Sequence, residues 1–171
     1  MTDSSTGTTL LRTLVRHRGV LTALVLGLAV VAALVVSVVQ LQQARAVDEA
    51  RRTALDAART YAADLATYDF TDLDRNFATV TANAHGRFAE QYREISTSLT
   101  ELIKQNRAVS RGTVLAAGVA EADQQRAVVT LFVDQEITNV NNPEPRIDRN
   151  RMQMTLLRVE DRWRIEDIQL L

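Results

Sequence analysis

Polar and apolar positions divide the chain sharply near its start. From Gly19 to Val39, 21 residues pass without a charge, and only Thr22 and Ser37 carry polar side-chain groups. As a helix this run spans about 31 Å, the thickness of a bilayer's hydrocarbon core. The pattern predicts a transmembrane helix over 19–40. Both hydroxyls can bond back to the helix's own carbonyls. Residues 1–18 read as a basic tail whose small, polar beginning favours disorder. Ala44-Arg45-Ala46 has the small-x-small form of a signal cleavage site. Signal-peptide apolar regions run only about 7–15 residues, and good helix-forming sequence continues beyond, so the run is read as a retained anchor. Small residues recur every four positions within it, at Ala23 and Gly27 and at Ala29, Ala33 and Ser37. That spacing allows close helix approach, but ordinary alanine richness is the better explanation.

Beyond the anchor, Val47, Ala54, Ala58, Tyr61, Leu65 and Tyr68 recur at helical spacing. They predict a long helix over 41–67, first a stalk and then core-facing, followed by the remainder of an α+β domain over 68–171. Thr71 and Asp74 have capping-box spacing, with Asp in place of Glu. They announce a short helix over about 73–84, with Gly86 placed to take a left-handed cap. A third helix over about 87–108 sets Phe88, Tyr92, Ile95, Leu99, Leu102 and Ile103 on one side. The period then changes. Runs at 113–120, 126–137, 149–159 and 162–171 alternate or are β-branched, separated by short breaks. The fold class expected is α+β: an N-terminal transmembrane helix, then three helices packed on a curved four-stranded antiparallel sheet.

Composition narrows the chemistry. Net charge is −1, which speaks against nucleic acid as a partner. The absence of cysteine excludes disulfides, thiolate catalysis and cysteine-based zinc sites. The two histidines, His17 and His85, flank the anchor and form no metal pattern, and the glycines form no phosphate-binding loop. No cofactor and no metal are expected. The parts available for pocket catalysis, Tyr61, Asp64, Tyr68, His85 and Asp134, cannot be brought together by spacing. Candidate pocket or partner contacts are Tyr61, Tyr68, Trp163, Arg149, Arg151, Arg162 and Arg164. The blander reading makes the tyrosines and Trp163 core residues, with Ile165 also inward and Arg162 and Arg164 outward. The arginine-dense stretch Arg146, Arg149, Arg151, Arg158, Arg162 and Arg164 is ordinarily a solvated sheet face, and it offers an acidic partner or lipid headgroup a surface if adjacent strands gather it. Arginines flank the anchor on both sides, Arg12, Arg16 and Arg18 against Arg45, Arg51 and Arg52. Charge alone therefore leaves orientation a tie; the closeness of the first group to the apolar run favours a cytoplasmic N-terminus.

The order of segments carries a resemblance. The short basic tail and single anchor lead to an alanine-rich helix ending in Leu65 to Asp74. His85-Gly86-Arg87-Phe88 to Tyr92 follows, and the last strand holds Asp161-Arg162-Trp163-Arg164-Ile165. This resembles the Mce-associated membrane proteins of actinobacteria over nearly the whole chain. Tyr68, Asp69, Leu73, Gly86, Phe88 and Trp163 match that pattern as fold determinants; His85 departs from it, standing where Thr is frequent. The resemblance implies a cone-shaped domain similar to nuclear transport factor 2 and SnoaL-like folds. It also implies a non-enzymatic accessory role in an Mce lipid or sterol import system of the cell envelope. The implied partners are Mce transporter subunits or other Mce-associated proteins, the membrane, and a lipid or sterol. The implied location is the inner membrane, single-pass, with the C-terminal domain extracytoplasmic. Two alternatives keep the same fold: a tethered lipid-binding module carrying an apolar ligand in the cone, and a pocket isomerase or cyclase.

Overall fold

The computed structural model describes residues 6–171, with side chains described from residue 26 onward except Ala29. Helix α1 runs over Thr6–Ala66, so helix occupies most of the stretch read as a disordered tail; residues 1–5 lie outside the description. The chain divides into two compact units, Met1–Arg45 and Ala46–Leu171. In the first unit, Leu26 to Val39 presents large aliphatic side chains that are 44% to 72% exposed. This part of α1 is long and apolar enough to cross a membrane by length and composition. Ser37 Oγ donates to Ala33 O at 2.8 Å, the back-bond expected of a hydroxyl in such a helix.

The second unit places α1's C-terminal half on an antiparallel sheet. The strands are β1 (Tyr68–Asp69), β2 (Val109–Ala122), β3 (Arg126–Thr138), β4 (Arg146–Val159) and β5 (Arg162–Leu170), paired in sequence order. The sheet therefore has five strands where four were expected. The extra one is two residues long, too short for any period to reveal; it exists because Tyr68 and Asp69 meet Ser110 and Val109. β2 and β4 also begin earlier than their apolar runs, at Val109 and Arg146, because ladder pairing with β3 continues past the alternating segment. Bulges at Leu115 and Ala120 in β2 and at Glu166 in β5 interrupt the register and bend the sheet.

Ala50, Ala54, Ala58, Ala62 and Ala66 form a single i, i+4 ridge, all buried. It lies on Val129, Leu131 and Val133 of β3 and Met152, Met154 and Leu156 of β4. Methyl side chains let the helix lie close to the sheet, and the large residues Leu55, Tyr61 and Leu65 flank the ridge. The approach is tightest at Gly112, where a Cβ would fall 2.4 Å from Ala66 Cβ. The last α1 carbonyl, on Ala66, accepts from Ser110 Oγ at 2.7 Å and from Gln135 Nε2 at 3.2 Å. Those two bonds satisfy a helix end that would otherwise be orphaned.

Helices α2 (Leu73–Asn83) and α3 (Gly86–Asn106) complete the unit. The capping box does not form. Asp72 is the N-cap without a side-chain bond. Thr71 instead gives its N–H and hydroxyl to Asp69 Oδ1, at 2.8 and 2.6 Å, in a local turn. Gly86 has the positive φ expected, 54°, but it opens α3 and does not close α2. Ala84 closes α2 in extended conformation beside Ile165, and His85 N–H donates to Ile165 O at 2.8 Å. The apolar side of α3 is only partly covered. Only Ser96 and Ile103 are buried; Ile95, Leu99 and Leu102 are 39% to 56% exposed. Tyr92 meets Phe77 of α2 at a ring centroid distance of 6.2 Å and stacks on Phe88, one turn earlier in α3, at 5.8 Å.

Candidate functional site

The candidate residues separate by role once placed. Trp163 sits inward on β5 and is 6% exposed. Its Nε1–H donates to Thr53 Oγ1 at 2.9 Å, while its carbonyl accepts from Tyr61 Oη at 2.8 Å. Thr53 and Tyr61 both lie on α1. The pair clasps the last strand to the first helix, so the polar ends of both aromatics are spent inside the fold. Burial raises the Tyr61 hydroxyl above its ordinary pKa, against the lowering pull of Arg164 and Arg162. Tyr68 is half-buried on β1 with Leu73 and Ile103 nearby in a smaller cluster. Burial raises its pKa too, opposed chiefly by a hydrogen bond with Ser110.

The arginines do not gather. Arg149 lies opposite Asp134 of β3 and Arg151 opposite Phe132. Arg162 and Arg164 pair with Val159 and Leu157 at the other end of β4. Six residues separate Arg151 from Leu157, about 20 Å along a strand. Arg149 and Arg151 are exposed on the sheet face turned away from α1. Arg164 donates through Nη1 to Ala82 O, near the C-terminal end of α2, where a cation is favoured. Spacing alone could not say whether they would meet, because it does not supply the hairpin register.

The inward face of the sheet holds little that could work on a substrate. Arg146 and Asp148, ion-paired at 2.7 Å, lie on it at the start of β4; its more central polar members are Asn150, Gln135 and Ser110. Asn150 Nδ2 donates to Gln135 Oε1 at 3.2 Å, and the other two serve the Ala66 carbonyl. Asp134 faces the opposite side, His85 is exposed, and Asp64 is partly buried with its pKa raised by burial. No cluster of three His, Cys, Asp or Glu among the described residues could hold a metal ion.

Concavities among the described residues include two on the second unit. One, of about 560 Å³, lies between α2 and α3 around Phe77, Ser96 and Thr100. The other, of about 600 Å³, opens on the sheet face away from α1, between the β2–β3 turn and the start of α3. Arg87 and Arg126 line it together with Glu121, Glu166 and Asp167, so its charges largely cancel. Thr155, 9% exposed, lies at its floor. These groups can hydrogen-bond a small polar molecule, and sequence reading had singled out none of them except His85 at the rim.

This architecture, helices on a curled antiparallel sheet, is a fold shared with proteins of known structure. An IcmL-like type IV secretion system protein from Legionella pneumophila superposes with a TM-score of 0.60 at 9% identity, over 71% of this chain and 91% of that one. The periplasmic domain of DotI superposes with a TM-score of 0.59 at 13% identity, over 68% of this chain and 91% of that one. By sequence, the chain belongs to the family described as uncharacterized protein Rv1363c/MT1408-like, whose pattern matches residues 15–166. Its relative Rv1362c of Mycobacterium tuberculosis H37Rv is 31% identical over 117 residues, 68% of this chain and 53% of that protein. The chain thus spans about half the length of the curated relatives it matches.

Proposed function

We propose that this chain is a non-enzymatic accessory membrane protein of an Mce lipid or sterol import system. It is anchored by residues 19–40, and its domain stabilises or assembles the transporter through protein contacts. The observation that carries the reading is the contrast within the chain. The aliphatic side chains from Leu26 to Val39 are exposed, while the domain that follows seals its own core. Water disfavours so long an apolar surface, and a bilayer accepts it. The Mce assignment itself rests on the segment order described above, and membership of a mycobacterial-type family supports it. Likeness in fold to a periplasmic domain supports an extracytoplasmic placement and a cytoplasmic N-terminus.

The cone-shaped, nuclear transport factor 2-like reading of the domain fits a helix lying across a bent sheet. The alanine ridge fills the inside of that cone with protein atoms, which favours a binding surface on the outside over a lipid carried within. The apolar inward face likewise favours a non-catalytic role over a pocket isomerase. The test is affinity capture of the full chain from solubilised membranes of a host with Mce genes. Recovery of Mce subunits is the expected result, and their absence under conditions that preserve the transporter refutes the assignment. Protease treatment of intact spheroplasts should digest the domain; protection would reverse the topology.

A further inference from the structure

The concavity beside the start of α3 holds a hydroxyl that the fold does not use. Thr155 stands on β4 between Met154 and Leu156, both fully buried under the alanine ridge. Strand alternation turns Thr155 to the opposite face, where it lines the concavity and is only 9% exposed. Its hydroxyl has no hydrogen-bond partner among the described residues, although every side-chain nitrogen or oxygen shut off from solvent among them has one. The Thr155 oxygen therefore keeps its path into the concavity. One wall of that space supplies donors. His85 N–H is held by Ile165 O at 2.8 Å, which fixes the start of α3 against β5. Gly86 then takes a φ of 54° and opens the helix, and His85 caps it with no side-chain bond. The N–H groups of Gly86 and Arg87 find no acceptor among the described residues, and both residues line the concavity.

Free N–H groups at the start of a 21-residue helix, with a guanidinium on the same wall, suit the several oxygens of a phosphate. The adjoining wall supplies acceptors. Asp167 lies directly across from Thr155, about 5 Å away between Cβ atoms, and Glu166 occupies the bulge beside it. A simple anion would meet these carboxylates, and a simple cation would meet Arg87 and the helix end. A molecule that carries both charges meets neither conflict. We propose that the concavity binds a small zwitterion, a phosphate and a primary ammonium joined by a short carbon link, as in phosphoethanolamine. The phosphate lies on the α3 N-terminus and Arg87. The ammonium lies between Asp167 and Glu166 and donates to Thr155 Oγ1. A volume of about 600 Å³ admits such a molecule with accompanying water. Free phosphoethanolamine and the headgroup of a lipid present this same chemistry.

The site needs only the purified chain, so its test stands apart from the Mce assignment. Isothermal titration of the full chain in a non-ionic detergent with O-phosphoethanolamine should show saturable binding. It should be at least about tenfold tighter than binding of inorganic phosphate or ethanolamine alone, because one link joins two contacts. Thr155→Val keeps the shape and should weaken binding about fivefold, while Thr155→Ser should not. Arg87→Glu suits a helix N-terminus and so should fold, but it should weaken binding by more than about tenfold. Glu166→Gln with Asp167→Asn should weaken phosphoethanolamine and leave inorganic phosphate as tight or tighter. Circular dichroism checks that each variant is folded. Repeating the titration in phosphatidylcholine nanodiscs, with and without phosphatidylethanolamine, separates the two sources. A lipid headgroup that occupies the site lowers the apparent affinity of the free probe; an unchanged affinity assigns the site to the soluble molecule. The proposal is overturned by the absence of saturable binding, or by halves that bind as tightly as the whole. Folded Thr155→Val and Arg87→Glu proteins that bind like the parent overturn it too.

Discussion

Replacing Thr53 with Val tests whether the contact between α1 and β5 holds the domain together as the geometry requires. Thr53 Oγ1 accepts from Trp163 Nε1 at 2.9 Å and gives its own proton back to α1, to Glu49 O at 3.0 Å or Ala50 O at 3.2 Å. Valine keeps the shape and nearly the same helix propensity, so the loss is confined to the acceptor. An indole N–H in a side chain only 6% exposed is then left without a partner, at a cost of about 1–3 kcal/mol. For a domain of this size that lowers Tm by about 3–6 °C for each kcal/mol. Thr53→Ser retains the oxygen and should lose less than half as much. Tyr61→Phe removes the bond to the Trp163 carbonyl and should cost about 0.5–1.5 kcal/mol. Since both bonds end on one residue, the double variant should depart from additivity by about 0.5 kcal/mol or more. The assay is equilibrium unfolding in urea followed by fluorescence, where the single tryptophan reports this contact alone. Far-UV circular dichroism follows the whole domain in parallel. If Thr53→Val stays within about 0.5 kcal/mol of the parent, or if Ser costs as much as Val, the clasp does not stabilise the fold.

Three further outcomes follow from named geometry. Gly112→Ala drives a methyl to 2.4 Å from Ala66 Cβ and 3.1 Å from Ala63 O, and thermal melting should show a loss of about 1–3 kcal/mol. Gly118→Ala, with no described atom within 4 Å of the new Cβ, should be near neutral in the same experiment. All three tyrosines have raised pKa values through burial, Tyr92 to about 12. Phenolate absorbance at pH 10 should therefore be lower in the folded protein than in the unfolded chain. Because the unfolded chain ionises first, stability should fall as pH rises from 10 towards 12, and Tyr92→Phe should reduce that fall. Asp123 accepts from the N–H groups of Gln125 and Arg126, which hold its carboxyl below the ordinary value. Its contribution is present above the unfolded pKa of about 4 and disappears as pH falls through the lowered folded value. Asp123→Ala should flatten the acid limb of the stability curve measured by urea unfolding.

The α+β class and the limits of α2, α3, β3 and β5 were readable to within a few residues, because apolar period and turn residues are local signals. Trp163 and Ile165 inward with Arg162 and Arg164 outward follows from strand alternation alone, and the structure places them so. How much of α3's apolar side is buried was not readable, for a physical reason. Period identifies an apolar stripe, but which edge of the stripe is covered depends on Phe77 and the other residues that α3 meets. The arginines meet the same limit: whether Arg149 and Arg151 come near Arg162 and Arg164 is set by a register that only the β4–β5 hairpin fixes.

The sequence by itself determined what contiguous residues can decide: an uncharged run long enough to cross a bilayer, a cysteine-free domain, and a switch from helical to strand period near residue 109. Tertiary structure alone decided the contacts between distant segments. Thr53 meets Trp163 across 110 positions, five alanines lie flush against the sheet, and a two-residue strand covers two positions of β2 and leaves the rest free. A local pattern records how each residue suits helix, strand or bilayer. Which edge is covered and which hydroxyl finds a partner depends on segments that meet only when the chain closes on itself.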